Sequence, residues 1–173
     1  VDNESTARSL ESRFALVAPR SITRSALFVA LDRFTCPEKI GSEPGYIDSP
    51  GAKTQEELEL QRQSIQVIER VSEQLHALGT DMLGMLQGEG DTAQAQTYSL
   101  GHVSPFIMDS IYAGAATFHW LLGENGKDVY RKAAADLDLL LDTLSPRWRL
   151  GSMYRELLVM HDASARVAAS AAE

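Results

Sequence analysis

The chain has 173 residues, with 16 Lys and Arg against 24 Asp and Glu, for a formal net charge of −8. So acidic a chain lacks the cationic face that a phosphate backbone requires, which excludes nucleic-acid binding by this chain alone from the expected functions. Its single cysteine, Cys36, excludes an internal disulfide framework and a multi-cysteine zinc site, and points to an intracellular compartment.

In chain order, Leu10, Phe14 and Val17 recur at helical spacing and predict a helix over 4–17. Beginning at Val1, without a leader, the sequence reads as a piece of something longer or a trimmed product. Pro19 predicts a break. A second helix follows over 21–35, with Ile22, Ala26, Val29, Ala30 and Phe34 expected to face inward, widened by Leu27 and Leu31. Pro37 ends it, leaving Cys36 as a half-buried thiol at a helix end. Residues 37–53 contain three prolines and three glycines and predict a long loop, flexible or draped over the surface.

Thr54, followed three residues later by Glu57, has the spacing of a capping box, and a helical pattern runs from there to about Leu86. Along it Ile68, Val71, Leu75, Leu78, Met82 and Met85 recur at alternating spacings of three and four, a heptad-like seam. The seam is expected to pack within the chain, a homodimer through 54–86 being the other use for it. Gly79 and Gly84 predict a bend. Residues 87–103 read as a flexible linker. The GxGxxA pattern at Gly88–Ala93 has no strand before it, so it is not a dinucleotide site.

The stretch 104–122 is apolar on nearly every side, which is the pattern of a buried helix. Ser104 and Pro105 suit its first turn, and Gly114 within Ala113–Ala116 lets neighbouring backbones approach. Asp109 and His119 argue against a membrane span. Residues 123–126 form a stop. The next helix, over 128–144, turns Tyr130, Ala133, Ala134, Leu137, Leu140, Leu141 and Leu144 inward. Ser145-Pro146 predicts the opening of a last helix, with Trp148, Leu150, Met153, Tyr154, Leu157, Leu158 and His161 as its apolar surface. The Ala/Ser-rich tail 163–173 is expected to fray. No segment alternates with period two. The expectation is therefore all-α: a single helical domain over 1–162, about six helices around a buried central helix at 104–122.

The pattern contains little chemistry. His76, His102, His119 and His161 fall in no recognised metal-ligand spacing, and no aspartate follows His161-Asp162 to complete a phosphohydrolase set. Asp136-x-Asp138 with Asp142 has the residues of an acidic metal motif, but Asp138 and Asp142 share a helix face opposite the leucines, the pattern of a solvated face. GxSxG, P-loop and HExxH motifs are absent. No catalytic residue, metal or cofactor is expected, and the chain does not read as an enzyme. A small-molecule pocket, the alternative reading, would lie beside 104–122 and be lined by Tyr112, His119, Trp120, Trp148 and Tyr154.

Three stretches carry a resemblance. They are Ser104-Pro105-Phe106-Ile107 with Ile111–Ala116, then Arg147-Trp148-Arg149-Leu150 with Tyr154, and upstream Phe34-Thr35-Cys36-Pro37-Glu38. The first two, in that order, resemble the C-terminal half of the helical regulatory region (middle homology region) of fungal binuclear-zinc-cluster transcription factors, and the third looks like the upstream part of that region. The similarity spans roughly 20–160, and Gly151 stands where that family usually has alanine. The six-cysteine DNA-binding module of the family has no counterpart here. The resemblance implies a regulatory and interaction module, located in the nucleus. Its partners would be other segments of the parent factor, co-regulator proteins and a small-molecule inducer.

Overall fold

The computed structural model describes residues 2–35, 54–88 and 103–171. Cys36, the loop 37–53 and most of the linker 87–103 lie outside them. Five α-helices and one 3-10 turn make up the described chain: α1 (Asp2–Thr35), α2 (Gln55–Gly88), the turn Pro105–Ile107, α3 (Met108–Asn125), α4 (Asp128–Leu144) and α5 (Arg149–Ala171). The fold is all-α, and α3 is its axis, packing against all four other helices.

The start of α3 follows from its sequence. The Ser104 hydroxyl accepts a hydrogen bond from the Phe106 amide at 3.4 Å, and Pro105 leads the 3-10 turn, where its missing N–H has no partner to lose. At the other end Gly126 takes a left-handed conformation, φ 63°, and its amide closes on the Leu122 carbonyl at 2.8 Å. Along α3, Met108, Ile111, Ala115, Phe118 and Leu121 are buried, and they join Leu137, Leu140, Leu141 and Leu144 of α4 in one core.

Helix α2 begins at the expected capping box. The Thr54 amide donates to Glu57 Oε2 at 2.7 Å, and the Glu57 amide donates to Thr54 Oγ1 at 3.2 Å. Its seam is consumed inside the chain: Ile68, Val71, Leu75, Met82 and Met85 are buried and Leu78 packs on the core, so the face offered for a homodimer through 54–86 is already covered. Nor do the glycines interrupt α2, which runs unbroken to Gly88. Gly79 is instead a contact point. A Cβ there would lie 2.8 Å from Leu137 Cδ2, and one at Gly114 would lie 3.2 Å from Leu137 Cδ1. Leu137, fully buried, is thus held between two glycines of two different helices.

Four local expectations are corrected. The helices expected on either side of Pro19 are one, α1. Proline removes the bond to the Ala15 carbonyl, but both residues are exposed, so the lost bond leaves no buried polar group behind. The Thr23 hydroxyl donates to the Pro19 carbonyl at 2.9 Å. The inward face of α1 is also not the expected one. Ile22, Ala26, Leu27, Val29 and Ala30 are exposed, while Val17, Ser21 and Thr35 are buried. Small serines allow close approach, and Ser25 Oγ lies 2.7 Å from Ser110 Oγ of α3. Third, Ser145 does not open a helix. It closes α4, its amide and hydroxyl both donating to the Leu141 carbonyl at 3.0 and 2.7 Å, and α5 begins beyond it. Helix α5 runs on through the stretch expected to fray, as far as Ala171, in keeping with alanine's high helix propensity.

Candidate functional site

The five residues proposed for a pocket divide among separate roles. Tyr112 of α3 and Tyr154 of α5 do meet: their rings stack with centroids 4.6 Å apart and 17° between planes. The Tyr154 hydroxyl donates to Asp109 one turn earlier on α3. Burial, and then the carboxylate beside it, push the Tyr154 phenol up to about 12, because both disfavour the phenolate. Trp120 and Trp148 pack at the margin of the core. The Trp148 indole N–H is buried without a hydrogen-bond partner among the described residues, and the Arg147 guanidinium lies 5.2 Å from its ring centroid.

His119 faces α4. Its Nε2 lies 3.3 Å from Asp138 Oδ2, and the same oxygen accepts from Arg155 Nη1 of α5 at 2.9 Å. Arg155 Nε reaches Asp142 Oδ1 at 3.1 Å. Asp138 and Asp142 stand one turn apart on α4, so one guanidinium fork spans both. Of the acidic face expected to be solvated, Asp142 stays 56% exposed, Asp138 is drawn in, and through Arg155 the two anchor α5. Asp138 keeps only 17% of its side-chain surface exposed, and its Oδ1 is buried with no hydrogen-bond partner among the described residues. This aspartate–arginine clamp was not legible in the sequence: the Asp-x-x-x-Asp spacing is there, but its cation comes from another helix.

A cleft does open beside α3, lined by other residues. It has a volume of about 270 Å³ between α2, α3 and α4, with Phe118 and Tyr130 as a buried floor. Glu69, Glu73 and His76 line one wall, and Lys127 and Val129 the other. Glu69, Glu73 and His76 follow one another at i, i+4 and i+7, so one stripe of α2 supplies all three. The Tyr130 hydroxyl donates to Glu69, and Lys127 Nζ lies 5.4 Å from the Tyr130 ring centroid. The Glu69 carboxylate is the main reason the Tyr130 phenol is held above its ordinary value. His76 Nε2 lies 2.8 Å from Asp136 Oδ2, and this contact holds the Asp136 carboxyl below the usual carboxylate range. None of the five expected residues lines this cleft. Among the described residues no three His, Cys, Asp or Glu side chains converge as a metal site would require, and no helix is long and apolar enough to cross a membrane.

The outer surface holds the larger surprise. Leu150, Met153 and Leu157, part of the apolar surface expected of this helix, are 36%, 53% and 36% exposed, and Met160 is 55% exposed. Helix α5 is seated by Gly151, Leu158 and Arg155 instead, on its far side, with Tyr154 at the edge between the two faces. Gly151 is what lets it sit so close: a Cβ there would lie 2.8 Å from the Leu141 carbonyl oxygen and 2.9 Å from Ser145 Oγ.

No family model, curated protein or solved structure matches the chain.

Proposed function

We propose that this domain is the regulatory and interaction module of a fungal transcription factor, acting in the nucleus through helix packing and without a DNA-binding zinc cluster of its own. The observation that carries the reading is the pairing of a tightly closed core with uncovered apolar helix faces. Leu137 and its neighbours have no exposed surface, yet Ile22 and Val29 of α1 and Met153 and Met160 of α5 are more than half exposed. Apolar side chains grouped on one side of a helix mark a surface that meets another protein. The resemblance supplies the kind of protein: co-regulators, or further segments of the parent factor. Its motif residues also fall on the packing contacts, with Ser104 and Pro105 opening α3, Gly114 against Leu137, and Tyr154 on Tyr112.

The test is to place residues 1–173 between a heterologous DNA-binding domain and a strong activation domain and read a reporter gene. A regulatory module lowers or conditions the output, and substitution of the exposed apolar residues by glutamate removes the effect. Output equal to that of an inert linker of the same length overturns the reading.

The cleft favours a second reading, a small-molecule-binding domain. Its floor is aromatic and its rim carries two carboxylates, a histidine and one ammonium, which suits a small ligand bearing an amine. A thermal-shift screen with small organic amines tests it. A ligand at 100 times its dissociation constant stabilises by about 2.7 kcal/mol, and Glu73→Gln, at an exposed position, should weaken that shift without unfolding the domain.

A further inference from the structure

Helix α5 carries a seam with the spacing of a coiled coil. Leu150, Met153, Leu157 and Met160 follow at spacings of three, four and three, the a and d positions of a heptad, and each is exposed. Beside the seam lies an open groove of about 460 Å³, lined by Asp142, Arg155, Glu156, Val159 and Met160. The charges next to the seam say what would cover it. Arg149 and Glu156 each stand one residue before a seam leucine, at equivalent heptad positions, and neither has an ion-pair partner among the described residues.

If two copies of α5 lie antiparallel about a two-fold axis near Arg155, Leu150 falls opposite the partner's Met160. Met153 falls opposite the partner's Leu157. In that register Arg149 meets the partner's Glu156, and by symmetry Glu156 meets the partner's Arg149. A parallel pair brings Arg149 beside the partner's Tyr154, which offers it no carboxylate and is already bonded to Asp109. The seam is therefore self-complementary in one orientation. We propose that the occupant of this face is a second copy of the chain, docked antiparallel through α5. The proposal rests on reading the exposed faces as an interaction surface, and it does not need the transcriptional role.

The test is sedimentation velocity on residues 1–173 over a concentration series reaching about 200 µM, with circular dichroism to confirm folding. The wild type should shift from monomer to dimer across the series. Met153→Glu should leave a folded monomer at every concentration. Arg149→Glu alone and Glu156→Arg alone should each weaken the dimer by about tenfold or more, since each turns two attractive contacts into repulsive ones. The double variant, Arg149→Glu with Glu156→Arg, should restore it, because reversed pairs are again opposite in sign. A wild type that stays monomeric throughout overturns the proposal, as does a dimer unaffected by Met153→Glu. Single reversals that the double variant does not rescue overturn the antiparallel register. Dimers without a reporter effect would count against the regulatory reading alone, and a reporter effect from a strict monomer against this one alone.

Discussion

Two glycines on one helix should respond oppositely to the same substitution. In α2, Gly84 has nothing among the described residues within 4 Å of where a Cβ would stand, and it is exposed. Alanine there gains only the difference in helix propensity, so Gly84→Ala should stabilise the fold by about 0.5–1 kcal/mol. The same gain is available at Gly79, five residues earlier, but the added carbon meets Leu137 Cδ2 at 2.8 Å and Leu140 Cδ2 at 3.3 Å. Both leucines are fully buried, and the other methyl of Leu137 is set close against Gly114, so rotating it away from α2 drives it into α3. Overpacking of this kind costs about 1–3 kcal/mol, which leaves Gly79→Ala neutral to about 2 kcal/mol destabilised. Urea denaturation followed by circular dichroism measures both, with an unchanged slope as the sign that the transition stays comparable. Thermal midpoints should move by about 2–4 °C per kcal/mol, upward for Gly84→Ala and not for Gly79→Ala. In a Gly79→Ala background, Leu137→Ala should also cost less than in the wild type, because the clash goes with the side chain. If Gly79→Ala stabilises as much as Gly84→Ala, the close α2–α4 approach is wrong and the reasoning with it.

Gly151→Ala should destabilise by about 2 kcal/mol, because its Cβ would meet the Leu141 carbonyl, a backbone atom that cannot rotate away; calorimetry of the purified variant checks this. Since the family resembled usually has alanine there, the same measurement bears on how far the resemblance extends. Tyr154 has a folded-state value raised above its unfolded one, so its contribution is complete below pH 10 and lost as pH rises toward about 12. Wild type should therefore lose stability across that window more steeply than Tyr154→Phe, measured by urea midpoints at successive pH values. Asp136 works in the opposite direction. Its value is lowered in the fold, so its contribution is present above its ordinary range and fades as pH falls through it, and Asp136→Asn should flatten the acid limb of the same profile. Thr54→Ala should cost about 1 kcal/mol by removing a side-chain cap, and a thermal midpoint unchanged from wild type would contradict the capping box.

The boundaries and inward face of α4 were legible in the sequence because one heptad-like stripe of apolar residues, Tyr130 to Leu144, met one core. The seam of α2 and the cap at Thr54 were legible for the same reason: spacing within one helix determines which side chains share a face. What depended on a second helix was hidden. Ser21 and Ser25 of α1 face inward while Ile22 and Val29 stay outside, because close approach to α3 selects small side chains over apolar ones. Asp138 and Asp142 looked solvated until Arg155 arrived from α5. The expected pocket residues were chosen for their chemistry beside 104–122, yet only Tyr112 and Tyr154 stack together, and the cleft that exists draws its wall from α2. Periodicity, capping and composition by themselves determined that the chain is helical and where most helices start and stop. Which face of α1 and α5 is buried was decided only by the tertiary packing, since a helix with apolar residues on two sides can bury either one, and the neighbour's shape makes the choice.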